Sequence, residues 1–426
     1  MHFSILPGLA ISFLLLGANA YADEKFDWLE RVSNHPNVVV ARGNIEAKHW
    51  RIKELQAKHG FDIDIITNGD VPIFEQFEVG FSRANESKPY LDIAVKGSYT
   101  LYDFGQAQEA INSEISSYEV SKLEYSTAFE KELHSLLTLT LENEKIQGRL
   151  IAIKNAIPQL EQIKQQSEMR YESGLGTLTE IRQIQIQLLD LKSQLILLEN
   201  RLEALLVLAK EQYELNADEL LLVLRDIRPV FEINQLASNG IRTSQLSELK
   251  VKALLHRQAS VEAEAMPVLQ GEINLTLYDA TRSFNNHELA GQLRLQMPVF
   301  DSGYRDARIG SLNHALSNEI EIKHQLLRQQ QYQLNDIARQ QTDLLSRKQF
   351  AQEKLQNELL QLQSLQQTQG KTSNDINGIS NLINQIVSTR TEIAGLNADI
   401  QINILQKLLV AEQLLNVLAL DLSDIY

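Results

Sequence analysis

The chain states nearly the same sequence twice, and this repetition restricts its architecture more than any other feature. Tyr102-Asp103-Phe104-Gly105 is followed by roughly 65 residues of helix-like sequence, then by Arg170-Tyr171-Glu172-Ser173-Gly174 and a leucine heptad. Phe300-Asp301-Ser302-Gly303 is followed by a stretch of similar length, then by Gln369-Gly370 and an isoleucine heptad. The copies are offset by 198 residues at the aspartates, 196 at the tip glycines and 195 through the heptads. An internal period of this length means one supersecondary unit used twice.

The heptads set the register of the comparison. Ile181, Ile184, Leu188, Leu191, Leu195, Leu198, Leu202 and Leu205 alternate steps of three and four, which is the a/d seam of a coiled coil. Displaced by 195, the seam becomes Ile376, Ile379, Ile383, Ile386, Arg390, Ile393, Asn397 and Ile400. Arg390 and Asn397 are then polar residues at the seam's edge.

Gly and Pro are sparse through residues 106–172 and 304–369, so each span reads as a single very long helix. At 1.5 Å per residue each reaches about 100 Å, far beyond the diameter of a globular domain. Pro158 is expected to kink the first, because it removes a backbone donor and its ring meets the preceding turn.

The N-terminus reads as an export signal, with an apolar stretch from Ile5 to Leu16 and an Ala20-Tyr21-Ala22 cleavage site, although its first residues lack Lys and Arg. The chain contains no Cys, so lipid attachment at a processed N-terminal Cys is excluded. No later stretch offers the roughly 20 continuous apolar residues of a membrane-spanning helix. Any span must therefore be made of β-strands. The net charge of −15 argues against a nucleic-acid partner, which requires a basic face.

Sequence of period two precedes each long helix. Ile273, Leu275 and Leu277 alternate with Glu272, Asn274 and Thr276, and Leu289, Leu293, Leu295 and Met297 fall opposite Gln292, Arg294 and Gln296. The first copy has residues 92–101, with a weaker partner expected around Ile73 to Phe81. Each copy thus offers one hairpin. Such alternation also describes a half-buried strand of a soluble sheet. Strands of this length match a tilted bilayer-spanning strand, the export signal places them outside the cytoplasm, and Tyr90, Tyr99, Tyr102, Phe104, Tyr278 and Phe284 sit near their ends, where an interfacial girdle belongs. Four strands cannot close a barrel, because open edges in lipid leave backbone groups unpaired. The chain must then oligomerise, and three copies supply twelve strands.

Taken in order, these motifs resemble the TolC-type outer-membrane efflux and secretion channels, the outer membrane factor family. Asn34-His35-Pro36-Asn37, with Val38, Ala41, Ile45 and Ile52 at helical spacing, is similar to the family's opening helix. Asp103 and Gly105, and again Asp301 and Gly303, resemble its strand-exit motif, and residues 170–174 its hairpin tip. The resemblance implies a mainly α fold with membrane β: long coiled-coil hairpins, four strands per chain, and a homotrimer closing a twelve-stranded barrel in the outer membrane of a Gram-negative cell. It implies a tunnel into the periplasm, a periplasmic adaptor, and an inner-membrane pump or ABC exporter as partners. Tunnel-mouth and adaptor-contact candidates are Arg170, Gly174, Glu180, Gly370, Lys371 and Asp375, with Glu180 and Asp375 at the family's acidic position. Such acidic side chains would favour cations at the mouth.

On this reading residues 1–22 are the signal peptide. Residues 23–212 form the first repeat, with an opening helix, a strand hairpin at about 61–104 and a helical hairpin at about 106–212. Residues 213–245 are a connecting equatorial segment. Residues 246–426 form the second repeat, with strands at about 269–300 and helices at about 303–420.

Chemistry is not encoded in any recognisable motif. Gly370-Lys371-Thr372 lacks the phosphate loop's first Gly, since Leu365 stands there, and Gly174-Leu175-Gly176 lacks a third Gly and a preceding strand. The nine His do not fall at metal-site spacings, and His134, His314 and His324 read as exposed helix positions. The Gln-rich tract 352–369 reads as a solvated helix face suited to a weakly adhesive lining. The sequence therefore points to a passive conduit without cofactor. Its rival is a soluble periplasmic coiled-coil adaptor or scaffold, which would carry one central hairpin rather than two.

Overall fold

The computed structural model describes residues 28–70, 90–232, 241–278, 280, 286–368, 376–418 and 420. The expected export signal, the stretch from Ile73 to Phe81, Phe284, and the candidates Gly370, Lys371 and Asp375 lie outside the described residues.

Two short helices open the chain, α1 (Trp28–Ser33) and α2 (Pro36–Lys58), with Pro36 in the first turn, where its missing N–H leaves no bond unmade. Strands β1 (Asp62–Asp70) and β2 (Tyr90–Tyr102) follow, then α3 (Gln106–Glu172) and α4 (Leu178–Tyr213). An equatorial link is built from α5 (Ala217–Ile227) and a 3-10 turn at Arg228–Glu232. The second half runs α6 (Ile241–Ala263), β3 (Val268–Leu277), β4 (His287–Gln296), α7 (Tyr304–Thr368), α8 (Ile376–Val410) and α9 (Leu414–Val417). This is the mainly helical, internally duplicated arrangement with four strands that the sequence implies.

Around the long helices three landmarks repeat at an offset of 198, whereas α2 and α6 start 205 apart. Gly105 pairs with Gly303, the start of α4 at Leu178 with that of α8 at Ile376, and the left-handed residue Glu214 after α4 with Glu412 after α8. The heptad offset of 195 is accordingly corrected by three residues. Three residues are nearly one helical turn, so a seam of threes and fours matches itself almost as well one turn out of place. Burial fits the corrected register along the seam, with Ile379, Leu382, Ile386, Thr389, Leu396, Ile400 and Asn403 buried; at the offset of 195 Ile376 and Ile383 are buried as well, but Arg390 and Asn397 are exposed. On α4, Ile181, Ile184, Leu188 and Leu191 are buried, whereas Leu195 to Leu205 of the heptad are only half-buried.

Helix α3 spans 67 residues and passes through Pro158 without a break. Its neighbours are α2, α4, α6 and α8, and α7 packs on α6 and α8. These contacts bury two separate cores. One encloses Trp28, Val38, Phe129, Leu133, Leu137, Tyr213, Leu220 and Leu405 around the equatorial link. The other runs between α3, α4 and α8 through Leu160, Ile184, Leu188, Ile379 and Ile383. Helix α5 belongs to the first: Asn216 and Glu219 cap each other's backbone, and Leu220, Val223, Leu224 and Ile227 form its buried stripe.

The strands form one antiparallel sheet in the order β1-β2-β3-β4. Asp62 faces Ser98 and Asp64 faces Lys96, Lys96 faces Asn274, and Glu272 faces Gln292. The described partner of β2 is thus Asp62–Asp70, ahead of the expected stretch. Its first residues, Asp62-Ile63-Asp64-Ile65, alternate cleanly and could have announced it.

Candidate functional site

The sheet sorts its side chains by chemistry. Residues directly opposite one another share a face. One face therefore collects Ile63, Ile65, Ile93, Val95, Tyr99, Leu101, Ile273, Leu275, Leu289, Leu293 and Leu295, with Gly97, Gly271 and Gly291 among them. Among the described side chains it bears no Asp, Glu, Lys or Arg. Most of these apolar groups are exposed, Leu293 at 73% and Ile65 at 72%. The other face holds Asp62, Asp64, Asp92, Lys96, Ser98, Gln270, Glu272, Asn274, Thr276, Glu288, Gln292 and Arg294. An apolar face of this extent, exposed among the described residues, marks a surface that meets a membrane or another protein. No described helix is long and apolar enough to cross a membrane.

At the helical end of the sheet the repeated Asp-x-Gly motif solves one backbone problem twice. The chain enters each long helix through two consecutive left-handed positions, Phe104 and Gly105, then Ser302 and Gly303. Asp103 accepts hydrogen bonds from Gly105 N at 3.0 Å and Ala107 N at 2.8 Å. Asp301 accepts from Gly303 N at 3.1 Å and Arg305 N at 3.2 Å, with Arg305 Nε at 2.8 Å. Each carboxylate satisfies N–H groups that a helix start leaves orphaned, and its charge suits the positive end of the dipole. Asp103→Ala and Asp301→Ala should each lower the stability of the folded chain by about 1 kcal/mol, read by thermal unfolding. Phe61, Tyr99, Tyr102, Phe104, Phe300 and Tyr304 stand exposed around these junctions, Tyr102 and Phe104 edge to face at 4.7 Å. An amphipathic girdle between an apolar band and water has this composition.

At the opposite end, α3 turns into α4 through Ser173–Thr177, with Gly174 at φ +74°. Arg170 Nη2 donates to Leu175 O at 3.3 Å, closing the loop. The carboxylate of Glu180 accepts from Thr177 N, and Thr177 Oγ1 accepts from Glu180 N, a capping box that starts α4. Arg170, Gly174 and Glu180 therefore lie together at one hairpin tip, and all three shape it directly. Met169, Tyr171, Leu175 and Leu178 are exposed beside them.

Sequence reasoning missed a polar knot midway along the helices. Glu130 on α3 is 1% exposed, pairs with Arg242 at the start of α6, and accepts from Leu414 N at 2.9 Å. Glu412, directly before α9, accepts from Arg242 N at 2.8 Å and from Thr243 N and Oγ1. Burial pushes the Glu130 carboxyl up from its ordinary range, opposed by the Arg242 charge and by the hydrogen bonds from Arg242 and the α9 backbone. No sequence spacing announces partners this far apart. His134 is half-buried rather than exposed as expected, and burial lowers its pKa. No cluster of His, Cys, Asp or Glu able to hold a metal occurs among the described residues.

A helical core, two long helical hairpins and a four-stranded sheet with one apolar face together form a fold shared with outer membrane channels of known structure. Among solved structures the chain is similar to the outer membrane protein VceC of Vibrio cholerae (TM-score 0.74, 13% identity, covering 90% of this chain and 95% of that one). It is likewise similar to the CmeC outer membrane channel of Campylobacter jejuni (0.73, 12%, 96% and 94%) and to CusC (0.72, 12%, 93% and 95%). No protein-family model and no curated protein matches the sequence.

Proposed function

We propose that three copies of this chain close a twelve-stranded barrel in the outer membrane, continuous with a helical tunnel through the periplasm, and that this conduit is the exit duct of an exporter. The chain catalyses nothing on this reading. An inner-membrane pump or ABC exporter supplies the energy, and a periplasmic adaptor meets the hairpin tips at Arg170, Gly174 and Glu180, with Gly370, Lys371 and Asp375 as the candidates of the second tip. Efflux of small molecules and type I protein secretion both fit the duct.

The carrying observation is the exposed face, free of Asp, Glu, Lys and Arg among the described side chains, of a sheet whose edge strands, β1 and β4, each lack a neighbour on one side among the described residues. Lipid tolerates neither open edges nor charge, so the edges must meet other copies. An even number of antiparallel strands lets β4 of one copy pair antiparallel with β1 of the next. The solved structures share this chain's fold, and CmeC and CusC form channels. The helices support the same assembly. Ile186, Leu189, Ile196 and Leu197 of α4 are exposed, as are Leu359, Leu360 and Phe350 of α7, and the two sets lie at similar distances from their own hairpin tips. Packing α4 of one copy on α7 of the next would bury both.

Detergent extraction of the outer-membrane fraction should yield a species of trimer mass that forms discrete conducting pores in planar bilayers. A water-soluble periplasmic monomer without pore activity would instead support the adaptor or scaffold reading.

A further inference from the structure

Resting on the channel reading, the polar face of the sheet would line the barrel lumen, and its charges are arranged unequally. Among the described side chains it carries five carboxylates, Asp62, Asp64, Asp92, Glu272 and Glu288, against two cations, Lys96 and Arg294. Both cations are held by the same group. Lys96 Nζ lies 3.2 Å from Glu272 Oε1 and Arg294 Nη1 3.3 Å from it, with Arg294 Nη2 3.3 Å from Oε2. Gln292 Nε2 also donates to Oε2. Glu272 is 3% exposed, the most buried charged group on the sheet, because these side chains close over it.

Two cations held against one buried carboxylate project the field of a single net positive charge rather than two. The exposed Asp62 and Asp64, on the edge strand β1, have no such cover. We infer that Glu272 offsets one of the two cations of the lumen, so that the remaining carboxylates, Asp62 and Asp64 exposed on the edge strand together with Asp92 and Glu288, outweigh the cationic charge and the barrel itself selects cationic solutes. Repetition in three copies around a low-dielectric wall focuses that field on the axis. The selective element then lies in the outer-membrane section rather than only at the periplasmic mouth, and it favours cationic over anionic cargo of the same size. Glu272 acts through Lys96 and Arg294 and is a positioning residue, whereas Asp62 and Asp64 face the permeant solute.

The test is the reversal potential of full-length trimers in planar bilayers under a KCl gradient. Wild-type pores should prefer K+ over Cl−. Asp62→Asn combined with Asp64→Asn should lower that permeability ratio by about threefold or more. Glu272→Gln should lower it further by releasing Lys96 and Arg294, and adding Lys96→Gln to Glu272→Gln should restore part of it. Should Glu272→Gln fail to assemble, the edge-strand double variant decides alone, since both its sites are exposed. Absence of any pore in the wild type overturns the channel reading. Wild-type pores that conduct without cation preference, or whose preference the assembled variants leave unmoved, overturn this inference while leaving the channel intact.

Discussion

Ile273→Arg should abolish assembly in the outer membrane. Ile273 sits near the middle of β3, opposite Gly97 and Gly291, and its side chain is 56% exposed on the charge-free face. An Arg at the midplane of a transmembrane strand costs about 2–4 kcal/mol, and a trimer incurs that penalty three times. Flanking glycines offer no side chain with which to pair the guanidinium. Thr276→Arg is the matched control. Thr276 is one turn of the pleat away on the polar face, opposite Ala94 and Glu288, where a cation meets water and a carboxylate. Unheated gel electrophoresis of outer-membrane fractions should show trimer for the wild type and Thr276→Arg, and little or none for Ile273→Arg. Normal trimer levels for Ile273→Arg would mean that this face does not meet lipid.

The contrast between these two positions was legible in the sequence, since alternation in Glu272 to Leu277 already separates the faces. So were the long helices and the duplicated Asp-x-Gly junctions, because each is written in local spacing. What alternation does not convey is which segments pair. Strand β1 alternates clearly only as far as Ile65 before Ile66-Thr67-Asn68-Gly69 interrupts it, so its pairing with β2 is not announced by period two. The seam register was ambiguous for a related reason. A pattern of threes and fours is nearly invariant to displacement by one turn, and only burial, with Thr389 covered and Arg390 exposed, distinguishes the two alignments. Thr389 is a polar seam residue that the misplaced register concealed, and its hydroxyl donates to the buried Glu358 of α7 at 3.2 Å. At the tip, the local partner of Glu180 is the cap of its own helix.

The equatorial knot was invisible because nothing local encodes it. Glu130, Arg242 and Leu414 meet across separations of 112 and 284 residues. The consequence of removing its centre should be correspondingly large. Glu130→Ala leaves the Arg242 guanidinium, itself largely covered, without its carboxylate and leaves Leu414 N without an acceptor. Breaking one side of a buried pair in this way lowers stability by about 3–5 kcal/mol, far more than the intact pair contributes over an apolar replacement. Three segments distant in sequence, α3, the start of α6 and the start of α9, would lose their common fastening together. Thermal or denaturant unfolding of the purified protein should shift strongly, while Glu248→Ala, whose exposed carboxylate only meets Lys323 and Ser244, should shift it little. Glu130 also carries a pH signature. Its carboxyl titrates above the unfolded value, so the folded chain binds the proton more tightly. That contribution is fully present below the unfolded pKa and is lost as pH rises through the folded one. The stability difference between wild type and Glu130→Gln should therefore shift against the wild type as pH rises from about 4.5. A difference independent of pH across that window would mean that Glu130 is no more reluctant to ionise in the folded chain than in the unfolded one, with the opposing pull of Arg242 matching the effect of burial.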